Sequence, residues 1–173
     1  MSMARKVKVV QHNPEWVEKY KQEEYKLLIT LRSEVVAIHH IGSTAIPRIW
    51  AKPIIDILVE VYEIGKLDFY YPMMMAMGYQ PRGEYGIQGR QYFVKWDNGI
   101  HTHHVHAFQM GRPEIARLLN FRDYLIEHSE EAEAYSKLKQ LLAQQFPLDT
   151  EGYTEAKSGF VQGIGAKALR ENP

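Results

Sequence analysis

The sequence predicts an α+β domain, in which a mixed β-sheet is covered by helices and followed by a C-terminal helical layer. Two observations lead to this prediction. Before Gly111, short β-branched runs alternate with helical segments and turn signals, and after Gly111 every segment has helical spacing. The chain has 173 residues, which is the size of one domain. We therefore expect a single domain over residues 1–173, with a sheet part at about 1–110 and a helical part at about 111–173.

In the sheet part, the first helix is predicted to begin at Asn13-Pro14, because Asn is a favourable N-cap and Pro suits the first helical position. A second helix is predicted over residues 67–77 and ends at Gly78. The apolar stripe of the first helix has one polar member, Glu24, and consists of Trp16, Val17, Tyr20, Glu24, Leu27, Leu28 and Leu31. Strands are predicted at 7–10, 35–41, 54–62, 91–96 and 101–108, with Asp97-Asn98-Gly99 as the hairpin turn between the last two.

Three helices are predicted after Gly111, over residues 113–128, 130–146 and 151–170. Ser129 is a suitable N-cap for the middle one.

Composition excludes several classes of protein. Lys+Arg and Asp+Glu are both 21, which argues against a general nucleic-acid binder but allows a small phosphorylated ligand held by a few local cations. There are no cysteines, so disulfides, Fe–S clusters and thiolate chemistry are excluded. No apolar run approaches the roughly 18 residues of a membrane span, and no signal peptide is visible. We expect a cytoplasmic protein without membrane contacts.

The segment Gly42-Ser43-Thr44, after the second predicted strand, is suited to holding a phosphate. Gly42 permits a tight turn, and the next two residues offer hydroxyl groups and free N–H groups. The following strand carries a single acid, Asp56, in an apolar run, where a carboxylate needs a cation, a metal or several donors. The alternative is a simple strand–turn in which Asp56 caps a neighbouring element.

Eight short motifs lie in order along the chain. They are His40-Ile41-Gly42-Ser43-Thr44, Lys52-Pro53-Ile54-Ile55-Asp56-Ile57, Glu84-Tyr85-Gly86, Arg90-Gln91-Tyr92-Phe93, Thr102-His103-His104-Val105-His106, Phe121-Arg122-Asp123-Tyr124-Leu125, Tyr135 with Leu138-Lys139, and Tyr153 with Lys157 and Phe160. In these motifs the sequence resembles the GrpB family, and the resemblance covers most of the chain, from Val7 to about Ile164. This family is similar to the nucleotidyltransferase superfamily of polymerase-β type. The resemblance therefore implies a nucleotidyltransferase-like sheet.

Transferases of that superfamily carry two carboxylates at positions i and i+2 of one strand, which hold a pair of metal ions. Here Asp56 is followed at i+2 by Leu58, and the next acid on the same face, Glu60, lies about 13 Å along the strand. Either the transfer chemistry is absent, or other ligands replace the missing carboxylate.

Histidines on the 101–108 strand are the candidate replacements. Strand alternation predicts that His104 and His106 share one face and that His101 and His103 share the other. With Asp56, the first pair gives a two-histidine, one-carboxylate metal set, suited to Zn²⁺, Mn²⁺ or Fe²⁺ rather than to Mg²⁺ alone. Alternatively, these histidines form hydrogen bonds in the core or bind phosphate. His39 and His40 are adjacent, so only one of them can face the same side as Asp56. The resemblance favours His40 for that position, but packing is the expected role of either.

Two cations interrupt the apolar stripes of the C-terminal helices, namely Arg122 and Lys157. A charge on such a stripe is either paired with an acid or reaches a polar cavity. With Arg90 and Lys52, they predict a locally positive cleft in a neutral protein. Arg48, between the turn and Asp56, is a further candidate for the same cleft.

Together these residues predict a protein that binds a nucleotide or another phosphorylated small molecule. The candidate reaction is metal-dependent phosphoryl or nucleotidyl transfer, with Mg, Mn or Zn as the divalent metal. Asp56 would hold the metal, Gly42, Ser43 and Thr44 would hold a phosphate, and Arg122 and Lys157 would stabilise developing charge. The alternatives are a non-catalytic module for a nucleotide or coenzyme A-like ligand, and a His/Asp metal-dependent hydrolase.

Overall fold

The computed structural model describes residues 5–172 and has a five-stranded sheet and five α-helices within that range. The elements in chain order are α1 (Glu15–Leu31), β1 (Val35–Ile41), β2 (Ile55–Val61), α2 (Tyr71–Ala76), β3 (Tyr79–Pro81), β4 (Arg90–Asp97), β5 (Ile100–Gln109), α3 (Pro113–Glu127), α4 (Ser129–Gln145) and α5 (Thr150–Glu171). No helix among these is long and apolar enough to cross a membrane. The predicted α+β class and C-terminal helical layer are confirmed.

The sheet is mixed, with the strand order β1-β2-β5-β4-β3. Strands β2 and β5 are parallel neighbours, and every other pair is antiparallel. In this register Asp56 lies opposite His104 on β5 and opposite Ile41 on β1. The central strands therefore bring the predicted acid and histidines together.

The two faces of the sheet have different partners. On one face, α1 packs Trp16, Leu27 and Leu31 against the β2 side chains Ile57 and Val59. Burial of this kind contributes about 1.5–3 kcal/mol for each large side chain. The other face packs Leu58 and Phe108 against Ile115 of α3. The polar end of this second face is left open beside the helical layer.

The helical layer is joined to the connection between β1 and β2. Ile46 and Ile49 of that connection are buried among side chains of α3, α4 and α5. The Ser136 hydroxyl of α4 accepts a hydrogen bond of 2.8 Å from the backbone N–H of Trp50. The connection is thus held between the sheet and the helices, and it ends beside Asp56.

Several helices and strands begin or end at residues other than those predicted from the sequence. Residues 7–10 form only an isolated bridge between Val10 and Ala51. The predicted helix at 67–77 is a 3₁₀ segment over Ile64–Tyr70 followed by the short α2, and β3 was not predicted. Ser129 lies inside α4, whose N-cap is His128. The helix α1 begins one residue after Pro14, and the side chain of Asn13 accepts from the N–H of Glu15.

The predicted stripe of α1 is also corrected. Val17 and Leu28 are 45% and 43% exposed, and the buried acid is Glu23 rather than Glu24. Glu23 is tolerated in the core because it accepts hydrogen bonds from the hydroxyl of Tyr79 and the ammonium of Lys95, at 2.7 and 2.9 Å. A buried carboxylate with both a donor and a counter-charge carries a much smaller desolvation penalty than an unpaired one.

Candidate active site

The turn after β1 is built around Gly42, as predicted. Gly42 has φ +74°, which L side chains rarely adopt. A Cβ at this position would lie 2.7 Å from Oδ2 of Asp56. Both the backbone conformation and the close approach of the carboxylate therefore require glycine here.

Asp56, His106 and Arg90 form a hydrogen-bonded chain across three strands. His106 Nε2 lies 3.1 Å from Asp56 Oδ1, and His106 Nδ1 lies 3.3 Å from the Arg90 guanidinium. Because arginine only donates, Nδ1 must accept, so the proton of neutral His106 is on Nε2 and is donated to Asp56. Arg90 also donates to the carbonyls of Glu84 and Tyr85, which attaches the loop between β3 and β4, residues 82–89, to the site.

This environment keeps Asp56 ionised. Burial works to raise the pKa of Asp56, but the hydrogen bond from His106 holds it below its ordinary value. The positive charge of Lys157 contributes a smaller effect in the same direction. The site thus presents a carboxylate at neutral pH.

His104 reaches Asp56 on the same face, with Nδ1 3.6 Å from Oδ1. Burial lowers the pKa of His104 to about 4, in spite of the neighbouring carboxylate, so the ring is neutral at pH 7. The predicted convergence of Asp56, His104 and His106 is present in the structure.

His101 does not lie where alternation predicts. Lys95 pairs with His103 but Trp96 pairs with His101, so Thr102 is an extra residue on β5. Such a β-bulge moves the side chain on its far side, here His101, to the other face of the sheet. His101 therefore joins His104, with 2.9 Å between their ring nitrogens, while His103 stays on the α1 face.

The adjacent histidines of β1 have structural contacts, in line with the packing role expected for them. His39 lies on the Asp56 face but pairs with Glu60 at 2.6 Å. His40, which the family resemblance favours, stacks on Tyr20 of α1 and bonds the hydroxyl of Thr44 at 2.9 Å.

A cavity of about 710 Å³ opens beside Asp56, between the sheet and the helical layer. Ser43 and Thr44 of the turn line it, as do the three histidines His101, His104 and His106. Its lining also contains six basic side chains and one acid, Asp56; the basic residues are Arg5, Lys6, Lys8, Lys52, Lys139 and Lys157. Such an excess of positive charge favours an anionic occupant.

The ammonium groups of Lys52 and Lys157 both lie over the ring of Tyr153, at 4.4 and 5.2 Å from its centroid. Within residues 5–172, neither forms an ion pair with an acid. Burial lowers the pKa of Lys52 to about 8, and the charges of Lys157 and Arg5 add to the effect. These two predicted ligand-binding cations lie in the cavity without an ion-pair partner among the described residues.

Lys139 is a cavity residue that the sequence patterns did not single out. It is 1% exposed, lines the cavity, and its Nζ has no hydrogen-bond partner among the described residues. The sequence carried the signal, because Lys139 interrupts the buried stripe of Tyr135 and Leu142 on α4. Lys139 therefore meets the same criterion as Lys157 on α5.

Three predicted cations take other positions. Arg122 lies outside the residues that line the cavity; it donates to the carbonyl of His40 at 3.0 Å and pairs with Asp123 at 2.8 Å. Arg90 lies behind His106 rather than at the cavity surface, over the ring of Tyr92. Arg48 is exposed.

The residues do not fit the two-carboxylate metal site of nucleotidyltransferases. The i+2 position is occupied by Leu58, which is fully buried in the core. Among the described residues, the trio of His and acid side chains whose ligand atoms all lie within 4.8 Å is Glu127, His128 and Glu171, on the helical surface. In addition, the contact with Arg90 leaves the Nε2 of His106 protonated, which opposes metal binding at that atom.

A second cavity, of about 1020 Å³, lies on the opposite face of the sheet beside Trp16 and His103. Its buried acid, Glu23, is already bonded to Lys95 and Tyr79. The charges of this cavity are thus largely balanced, unlike those around Asp56.

Comparison with known proteins identifies the family. The family model described as GrpB protein matches residues 6–167. The chain belongs to the GrpB family. It is 32% identical to the glutamate-rich protein GrpB of Alkalihalophilus pseudofirmus, over 90% of this chain and 92% of that protein. It is 43% identical to the UPF0157 protein YqkA of Bacillus subtilis, over 96% of this chain but only 48% of YqkA, so it spans about half the length of that relative.

A solved GrpB structure has the same fold. The crystal structure of the conserved protein GrpB from Enterococcus faecalis superposes with a TM-score of 0.91 at 39% identity, covering 95% of this chain and 98% of that chain. Part of the chain also aligns with the Cid1 poly(U) polymerase, at a TM-score of 0.47 and 13% identity.

Proposed function

We propose that this GrpB-family protein binds a phosphorylated small molecule, such as a nucleotide, in the cavity beside Asp56. The observation that carries the proposal is the charge of the lining, in which six basic side chains face one acid. Lys52 and Lys157 have no acidic partner within residues 5–172, so a ligand's phosphate groups would supply the missing negative charge. The cavity is also large enough for such a ligand, since small-molecule sites have volumes of about 300–1,000 Å³.

The proposed roles of individual residues follow from their places in the cavity. The Ser43 hydroxyl can donate to a phosphate oxygen, and Lys52 and Lys157 neutralise its charge. Asp56 is ionised and lies beside the turn, where it can accept a hydrogen bond from a ligand hydroxyl. Arg122 acts indirectly, through its bond to the His40 carbonyl two residues before Gly42.

Metal-dependent transfer or hydrolysis has weaker support than binding. Leu58 replaces the second carboxylate, and the proton that His106 shares with Asp56 occupies the nitrogen that would ligate a metal. We therefore favour a binding site whose ligand is held by side-chain cations. A divalent ion, if it enters, would arrive with the phosphate groups of the ligand.

A thermal-shift panel tests the proposal. Purified protein is melted with ATP, GTP, coenzyme A or pyrophosphate, each with a divalent ion (Mg²⁺, Mn²⁺ or Zn²⁺) and with EDTA. A ligand at about one hundred times its dissociation constant adds about 2.7 kcal/mol, or about 5–10 °C for a chain of this size. We expect at least one clear rise, retained in EDTA and lost in Lys157→Met.

The control is Lys21→Met, which removes an exposed lysine of α1 outside the cavity and should keep the ligand-induced rise. A flat panel for the wild-type protein in both conditions would overturn the proposed function. A rise that requires Mn²⁺ or Zn²⁺ would instead restore the metal site of Asp56, His104 and His106.

A further inference from the structure

Lys139 is the most unusual charged residue of the cavity. Its side chain is almost wholly buried on α4, and its Nζ forms no hydrogen bond with any residue in the range 5–172. The nearest favourable contact is the face of the Tyr135 ring, 4.5 Å from Nζ to the centroid. A buried ammonium with no acceptor is strongly disfavoured, and a lysine in that position tends to lose its proton.

Most of the charged side chains that line the cavity with Lys139 are basic. Burial, together with a smaller effect from the positive charge of Lys157, lowers the pKa of Lys139 to about 6. The titratable groups that line the cavity with it are Arg5, Lys6 and Lys8 of the N-terminal segment, Lys52 before β2, Asp56 on β2, His101, His104 and His106 on β5, and Tyr153 and Lys157 on α5. Asp56 is already bonded to His106, so it does not compensate Lys139.

We propose that Lys139 anchors an anionic group of the ligand and takes up a proton from solvent when that group binds. This inference rests on the proposed function and names the binding chemistry of the same cavity. In the free protein the amine is neutral and lies over Tyr135. When a phosphate-like dianion enters, the amine gains a proton to become an ammonium, and the ammonium donates to the anion. The balance is one proton from solvent for each anion bound, and no other bond changes.

Proton uptake gives this site a property that surface lysines lack. An exposed lysine is already an ammonium at neutral pH, so binding an anion there takes up no proton. Affinity at Lys139 should therefore increase as the pH falls from 8 toward 6, because protonation then becomes easier. The stem of Lys139 is packed on α4, so Lys139→Met keeps most of the apolar contacts and removes only the amine.

The experiment is a calorimetric titration with sodium sulfate, a phosphate-like dianion that does not itself titrate near neutral pH. It is run at pH 7.5 in buffers of different ionisation enthalpy, so that the dependence of the heat on the buffer counts protons. For the wild-type protein we expect uptake of about one proton for each sulfate bound. For Lys139→Met we expect at least about tenfold weaker binding and no uptake from this residue, as for the loss of a charge-assisted hydrogen bond.

The matched control is Lys137→Met, two residues away on the same helix, whose side chain is 73% exposed and pairs with Glu133. It should bind sulfate as the wild type does, with the same proton count. Equal affinity and proton uptake in wild type and Lys139→Met would overturn the inference and leave Lys139 as a packing residue. Binding by the wild type without proton uptake would overturn it as well. If the wild type binds neither sulfate nor any member of the nucleotide panel, the proposed function itself fails.

Discussion

Gly42 and Asp56 determine each other's position. The carboxylate can reach the turn only because position 42 has no side chain. Only glycine adopts φ +74° at low cost in this turn. The sequence allowed both residues to be identified, because a Gly-Ser turn before an isolated strand acid is a local pattern. Lys139 interrupts the apolar stripe of its helix, as Arg122 and Lys157 do. The stripe alone does not show which of these basic residues reaches the cavity.

Replacing Gly42 tests this close contact. We expect Gly42→Ala to lower the free energy of unfolding by at least about 1–2 kcal/mol, because the backbone conformation is left-handed, and by more through the contact with Asp56. The ligand-induced rise in melting temperature should also be lost, since Asp56 must move. The measurement is urea unfolding together with the thermal-shift panel.

The control for that substitution is Gly163→Ala. Gly163 is an exposed residue of α5, and a Cβ added there would meet no atom within 4 Å beyond its own helical neighbours. Alanine there should raise stability by about 0.5–1 kcal/mol, as expected for a helix interior. If Gly42→Ala is as well tolerated as Gly163→Ala, the turn does not need glycine and our account of it is wrong.

At the scale of elements, long segments with one period were predicted well and short or irregular ones were not. Strand β1 matches its predicted range, and Asn98-Gly99 forms the predicted hairpin turn with φ of +50° and +77°. Strand β3 has three residues and pairs only with β4, so no periodicity could reveal it. The bulge at Thr102 depends on pairing between two strands, which alternation along one strand cannot show.

Arg122 forms a hydrogen bond between helix α3 and the sheet, and its loss has a predictable effect on stability. The guanidinium donates to the His40 carbonyl at the end of β1, outside the cavity lining. We expect Arg122→Met to lower the free energy of unfolding by about 1 kcal/mol, the usual effect of one hydrogen bond, and to keep the ligand-induced rise in melting temperature. The readouts are urea unfolding and the thermal-shift panel.

Arg117→Met is the matched variant on the same helix, because Arg117 is exposed. Its unfolding free energy should stay within about 0.5 kcal/mol of the wild type. Loss of the ligand response in Arg122→Met without loss of stability would contradict this view and return Arg122 to the cavity as a ligand-binding cation.

For the whole molecule, charge is balanced in number but not in space. The chain carries 21 basic and 21 acidic residues, yet six basic side chains and one acid line the cavity beside Asp56. Net charge read from the sequence excluded a general nucleic-acid binder, but it could not show where the lysines of the N-terminal segment, α4 and α5 meet. That gathering is a product of the tertiary fold, in which the helical layer closes over one face of the sheet.

This distribution predicts how stability depends on pH. Burial lowers the pKa values of His40, His101 and His104 to about 4, and that of Lys139 to about 6. Each of these groups binds fewer protons in the folded than in the unfolded chain, so the free energy of unfolding must rise with pH. The histidine contribution is complete above about pH 6.5 and is lost as the pH falls toward 4. The lysine contribution is complete only above about pH 10.5 and is lost as the pH falls toward 6.

Urea unfolding from pH 4 to pH 10 measures both contributions. We expect a rise across the acid range from the histidines and a further rise between pH 6 and pH 10, which Lys139→Met should reduce. The same variant should be more stable than the wild type at pH 7, because it removes a buried amine that the unfolded chain protonates freely. Lys137→Met should follow the wild-type curve, since that lysine is exposed. If Lys139→Met runs parallel to the wild type above pH 6, the amine is solvated and already charged, and the proton uptake we assign to it does not occur.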